Sequence, residues 1–136
     1  MATPSELKSL VRERAQRRCE YCRLPEGLTQ TSFQFDHIIA EVHDGPTTPE
    51  NLAFACYYCN TYKGPNLAGL DGETGQVTRL FHPRLDRWRE HFRWNAGEQV
   101  ALTPIGRATI RVLRINHPDF SAMREALMQA GLFPTD

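Results

Sequence analysis

Two Cys-x-x-Cys pairs, Cys19/Cys22 and Cys56/Cys59, constrain this chain more than any other feature. Each pair bends the backbone enough to offer two sulfurs to one ion, so together they match a tetrahedral structural zinc site. An ordinary zinc ribbon puts about 15 to 20 residues between its knuckles. The stretch from Cys22 to Cys56 is clearly longer, which predicts that something further is built into it. Four thiolates fill the coordination sphere and leave no position for substrate, so the expected Zn²⁺ is a fastener and not a catalyst. Two disulfides would use the same even count, and a thioredoxin-like redox pair the same spacing. That redox fold needs a strand before and a helix after its motif within a parallel sheet, which the flanks here do not supply.

The chain runs to 136 residues, the usual range for one domain, and it is 40% hydrophobic and 24% charged, as an ordinary soluble protein is. Its start lacks the unbroken apolar run of a signal peptide or membrane span, so a cytoplasmic protein without a membrane partner is expected. Lys and Arg number 16 and so do Asp and Glu, giving a net charge of zero. Any attraction to nucleic acid must therefore come from local patches.

Pattern reading gives an α+β chain. Thr3 as N-cap, Pro4 at the first helical position and Glu6 three residues after the cap predict a first helix. Leu7, Leu10, Val11 and Ala15 form its apolar side, and Lys8, Arg12, Arg14, Arg17 and Arg18 crowd the rest. Thr31 to Ile39, with Phe33 and Phe35 alternating against Gln34 and Asp36, reads as a strand. Asn51 to Ala55 is a second apolar run, so the two make a long-looped hairpin, followed by a short helix from Tyr57 to Lys63 that stops at Gly64. Residues 65 to 80 read as an irregular connection. The aromatics Phe81, Trp88, Phe92 and Trp94 are core residues of a segment expected to cover the metal-stapled unit. Thr103-Pro104 starts a helix that ends at His117-Pro118, and Asp119 to Ala130 forms the last one, stopped by Gly131. A single domain over residues 1–136 is expected, with a core at 19–64 and a covering segment at 65–136.

Between the knuckles lie Phe35-Asp36-His37-Ile38-Ile39 and Pro49-Glu50-Asn51-Leu52, and the second knuckle continues as Cys56-Tyr57-Tyr58-Cys59-Asn60-Thr61-Tyr62-Lys63-Gly64. In this order the motifs resemble the His-Asn-His (HNH) endonuclease family, in the branch where two Cys-x-x-Cys pairs flank the motif. The shared pattern covers Cys19 to Gly64, about a third of the chain. The resemblance implies a small ββα-metal, treble-clef-like core stapled by the four cysteines and flanked by N- and C-terminal helices. It implies His37 as general base, Asp36 and Asn60 as ligands of a catalytic cation, and Asn51 as the group that holds the His37 ring. Asn60 stands where the family name places a histidine. The activity implied is hydrolysis of DNA phosphodiester bonds.

The chemistry also follows from the residue types. Phosphodiester cleavage needs an activated water, relief of charge on the phosphoryl oxygens and a stabilised leaving oxygen. An imidazole suits the first task because it ordinarily titrates near neutrality. A Lewis-acid cation suits the others, and the hard oxygens of Asp36 and Asn60 favour Mg²⁺ or Mn²⁺ over softer ions. Asn51 can accept a hydrogen bond from the ring, or simply close a loop. Lys63 is a candidate phosphate contact or a helix C-terminal cap. Arg107, Arg111 and Arg114 share a helical stripe that, with the first helix, suits a DNA backbone or plain solvent. His43 reads as a solvated loop histidine. One difficulty stands: Asp36 and His37 are neighbours in a strand, whose side chains alternate between faces, yet both must serve one centre. The rival reading is a noncatalytic zinc-stabilised module that only binds nucleic acid.

Overall fold

The computed structural model describes residues 4–134. They fold as two compact units, Met1–Leu67 and Ala68–Asp136, where the sequence suggested one domain. The arrangement is α+β, with helices and three small two-stranded antiparallel sheets. No helix among the described residues is long and apolar enough to cross a membrane.

The first unit comprises α1 (Pro4–Arg14), β1 (Gln34–His37), β2 (Leu52–Ala55) and α2 (Tyr57–Lys63), with single 3-10 turns at Glu41–His43 and Pro49–Asn51. The expected Thr3 cap lies outside the described residues. β1 pairs with β2 in the register Gln34↔Ala55, Phe35↔Phe54, Asp36↔Ala53 and His37↔Leu52. Strand β2 is wholly buried, and α1 lies against it through Val11, while Arg14 Nη2 donates to the Leu52 carbonyl at 2.8 Å. Phe54 is the hub of this core, with the rings of Phe33 and Phe35 at 5.0 and 5.6 Å.

β1 is shorter than the run from Thr31 to Ile39. At its start the Thr29 and Thr31 hydroxyls bond each other at 3.2 Å, a local alternative to the ladder. At its end the Ile39 N–H and carbonyl are taken by the Asn51 side chain. The inward face also differs from the expected one: Asp36 is buried while Phe35 is half-buried. Helix α2 stops as expected at Gly64, whose φ of +50° lies in the left-handed region and whose N–H donates to the Asn60 carbonyl.

The second unit holds β3 (Ala68–Leu70), β4 (Val77–Arg79), α3 (Trp88–His91), β5 (Phe92–Asn95), β6 (Glu98–Ala101), α4 (Pro104–Leu113) and α5 (Pro118–Gln129). The segment read as irregular is therefore partly a hairpin, β3 pairing with β4. Its turn is organised by Asp71, which accepts from Glu73 N and Thr74 Oγ1 and is gripped by Arg107 at 2.6 and 3.0 Å. That guanidinium holds the Asp71 carboxyl well below the ordinary carboxylate range. A second hairpin, β5 with β6, also escapes periodicity. Phe81, Trp88, Phe92 and Trp94 pack on one another with ring centroids 5.3–5.5 Å apart, and Phe133 adds to Trp94 at 5.0 Å. α4 begins as predicted, Thr103 Oγ1 accepting from Gly106 N at 3.0 Å. α5 buries Arg124, which donates to the Gly97 and Ile115 carbonyls at 2.9 Å each.

Candidate active site

The sulfurs of Cys19, Cys22, Cys56 and Cys59 are all buried and lie within 4.8 Å of one another. The first knuckle is closed by Cys22 N and Tyr21 N facing Cys19 Sγ, the second by Cys59 N facing Cys56 Sγ at 3.4 Å. Glu20 brings the knuckles together: its N–H donates to the Phe54 carbonyl, and its carboxylate accepts from Phe54 N, both at 2.8 Å. The surrounding sulfurs, Cys19 first, push the Cys56 and Cys59 thiols up. Four sulfurs this close cannot all ionise unless a cation joins them, and that donor set suits a tetrahedral zinc. A metal held here has the four cysteines as its ligands.

At the exit of β1 a cleft of about 370 Å³ is lined by Phe35, Asp36, His37, Ala40, Glu41, Val42, Asn60, Gly64 and Pro65. The adjacent Asp36 and His37 and the sequence-distant Asn60 thus border one space. Strand alternation is not violated. Asp36 points inward and His37 is the last residue of the strand, so the cleft wraps round the strand end and meets both.

Asp36 is 4% exposed, and its carboxylate is held from two sides. Tyr21 Oη donates to Oδ2 at 2.7 Å, and Lys63 Nζ lies 3.3 Å from Oδ1 and 3.2 Å from Oδ2. Burial pushes the Asp36 carboxyl up, and the Lys63 ammonium and the Tyr21 hydroxyl act against it. Burial in turn lifts the Tyr21 phenol well above its ordinary value, with the Asp36 charge adding to it. Lys63 also donates to the His37 carbonyl at 3.2 Å and the Ile38 carbonyl at 3.1 Å. With 2% of its side chain exposed, it is neither a phosphate contact nor a cap of α2, because its charge answers a buried carboxylate. Removing one partner of such a pair typically costs about 3–5 kcal/mol. A carboxylate offers about four lone-pair directions, so these donors leave Asp36 room for a metal. Asn60 is half-buried, and its side chain makes no hydrogen bond among the described residues. The two residues fit as oxygen donors to a hard cation.

Asn51 does not hold the His37 ring. Its Oδ1 accepts from Ile39 N at 2.9 Å, and its Nδ2 donates to the carbonyls of Ile39 at 2.9 Å and Pro46 at 2.8 Å. Both amide hydrogens are spent on backbone, so the residue is the clasp of the loop between the strands. Gly45 closes the same loop: a Cβ there would run into the Ile39 carbonyl. The group that meets the ring is Thr47, whose Oγ1 lies 2.9 Å from His37 Nε2. His43 is exposed and its Nε2 donates to the Pro65 carbonyl at 3.1 Å, so the loop histidine is tied down.

In the second unit Arg107 is paired with Asp71 and lies 3.2 Å from Glu73, so its charge is already answered. Arg111 and Arg114 are exposed, Arg114 at the left-handed C-cap of α4. Tyr21 and Thr47 were missed from sequence. Tyr21 had one available signal, an aromatic at an interior position of a knuckle; Thr47, a loop threonine ten residues beyond His37, had none.

A hairpin and a following helix, fastened by a four-sulfur cluster and meeting at one polar cleft, define a small ββα unit with a candidate metal staple. Residues 19–66 match the model of the HNH endonuclease family, so the chain carries an HNH endonuclease domain over that stretch. No curated protein and no solved structure gives a match.

Proposed function

We propose that the chain is a divalent-metal-dependent endonuclease that hydrolyses DNA phosphodiester bonds, fastened by a structural zinc on Cys19, Cys22, Cys56 and Cys59. The observation that carries this reading is the convergence of Asp36, His37 and Asn60 on one cleft. His37 takes a proton from water as the water oxygen bonds to phosphorus, and the bond to the 3′ oxygen breaks. Asp36 and Asn60 would hold one Mg²⁺ or Mn²⁺, which supplies Lewis-acid charge beside the scissile phosphate. Lys63 and Tyr21 keep the Asp36 carboxylate aimed, and Asn51 keeps the loop over the cleft closed.

The rival is a noncatalytic nucleic-acid-binding module, favoured by one observation: the Lys63 ammonium already neutralises Asp36. Zinc-loaded protein assayed on supercoiled plasmid with Mg²⁺, Mn²⁺ or added Zn²⁺ separates the two. Nicking that needs Mg²⁺ or Mn²⁺ and is lost in Asp36→Ala is expected, whereas retained binding with intact plasmid under every ion supports the rival. Activity with Zn²⁺ alone contradicts the assigned catalytic ion.

Substrate phosphates next to the cut meet α1 in this reading. Lys8 Nζ and the Arg12 guanidinium lie 5.7 and 6.0 Å from the centre of the Phe35 ring, which itself lines the cleft. Each phosphate contact removed lowers the slope of log affinity against log salt by about 0.9. Lys8→Ala/Arg12→Ala is therefore expected to flatten that slope by up to about two units. Arg111→Ala/Arg114→Ala reports on the α4 stripe in the same titration, and an unchanged slope there removes the stripe from the binding surface.

A further inference from the structure

We infer that Thr47 is the positioning residue of His37: its hydroxyl engages ring Nε2 and leaves Nδ1 as the nitrogen that receives the proton from water. The inference rests on the nuclease reading above and names a residue that reading did not contain.

Thr47 Oγ1 lies 2.9 Å from Nε2, and Nδ1 has no hydrogen-bond partner among the described residues. A neutral imidazole carries one proton, so the contact has two forms. If Nε2 carries it, Nε2–H donates to the threonine oxygen and Nδ1 presents a lone pair. If Nδ1 carries it, the hydroxyl donates to Nε2 and no lone pair remains for water. Glu41 decides between them: its Oε1 is 3.8 Å from Nε2, and a carboxylate there favours the proton on Nε2. The ring is thereby locked in the form a general base requires.

Thr47 is held for this task from both sides. The carbonyl of the preceding residue, Pro46, accepts from Asn51 Nδ2 at 2.8 Å. The carbonyl of the following residue, Thr48, accepts from Asn51 N at 3.0 Å. Asn51 is thus linked to His37 through Thr47, one residue removed from the contact expected of it. An exposed hydroxyl on an unfastened loop would give the ring no fixed partner; the double clamp is what makes this one a device.

The test compares Thr47→Val and Thr47→Ser in the full, zinc-loaded chain. Long-range ¹⁵N–¹H correlation of the His37 ring at about pH 8, where an ordinary imidazole is neutral, reads the tautomer without reference to activity. The wild-type protein is expected to show Nε2–H. Thr47→Val is expected to mix the two tautomers and to lower kcat about tenfold, the effect of one hydrogen bond, with KM unchanged. Thr47→Ser should restore both. A Thr47→Val protein with the wild-type tautomer and kcat overturns the inference, as does a serine variant no better than the valine one. If the wild-type protein leaves plasmid intact, the nuclease reading fails, and the tautomer data still decide whether Thr47 orients the ring.

Discussion

Replacing His37 with alanine is expected to lower kcat for Mg²⁺-dependent plasmid cleavage by about 10²–10⁴-fold, the range over which a positioned general base contributes. The side chain stands at the end of β1 with 22% of its surface exposed, and its polar neighbours include Thr47 and Glu41 in the adjoining loop. The Lys63 bond goes to the His37 backbone carbonyl and survives the substitution. Thermal midpoint and zinc content should therefore match the wild-type protein, which separates lost chemistry from lost fold. Cleavage by His37→Ala at the parental rate would mean that the base lies elsewhere.

Removing the fastener acts on everything at once. Structural zinc in small sites contributes about 10–16 kcal/mol, against a typical net domain stability of about 5–15 kcal/mol. Cys56→Ser, or chelation of the parental protein, is accordingly expected to unfold the first unit and abolish cleavage together. Cys56 stands at the start of α2, and serine keeps the capping oxygen there, so the variant removes only the sulfur that ties the ion to the helix carrying Asn60 and Lys63. Zinc release by colorimetry, followed against circular dichroism, checks the order of events. A chelated protein that keeps its unfolding midpoint would show that the sulfurs are a packed thiol cluster with no fastening role.

What the sequence disclosed and what it withheld divide along physical lines. The knuckles, the hairpin, α2 and its Gly64 stop were legible because they depend on fixed spacings and local backbone preferences. The two caps with following prolines located α1 and α4 for the same reason, although the first cap residue lies outside the described residues. The β3–β4 and β5–β6 hairpins were not legible. Their strands lie in no longer alternating run such as Thr31 to Ile39 offered for β1, and the first hairpin is set by Asp71 gripping its own turn. Around the cleft the residue types pointed to chemistry but not to partners. Lys63 looked like a surface cation and is buried, because nothing along the chain announces that a carboxylate 27 residues earlier faces it. Thr47 meets the ring in place of Asn51 because a side-chain amide that can reach a ring can equally reach two carbonyls, and the loop decides which.

Helix α2 is only seven residues long, yet it supplies the last sulfur from Cys59, the cleft amide from Asn60 and the buried ammonium from Lys63. Successive residues of a helix are turned by about 100°. One residue inserted between Cys59 and Lys63 would swing that ammonium away from Asp36 while the sulfur stayed put. The spacing inside this single stretch is therefore as indispensable as the side chains it displays.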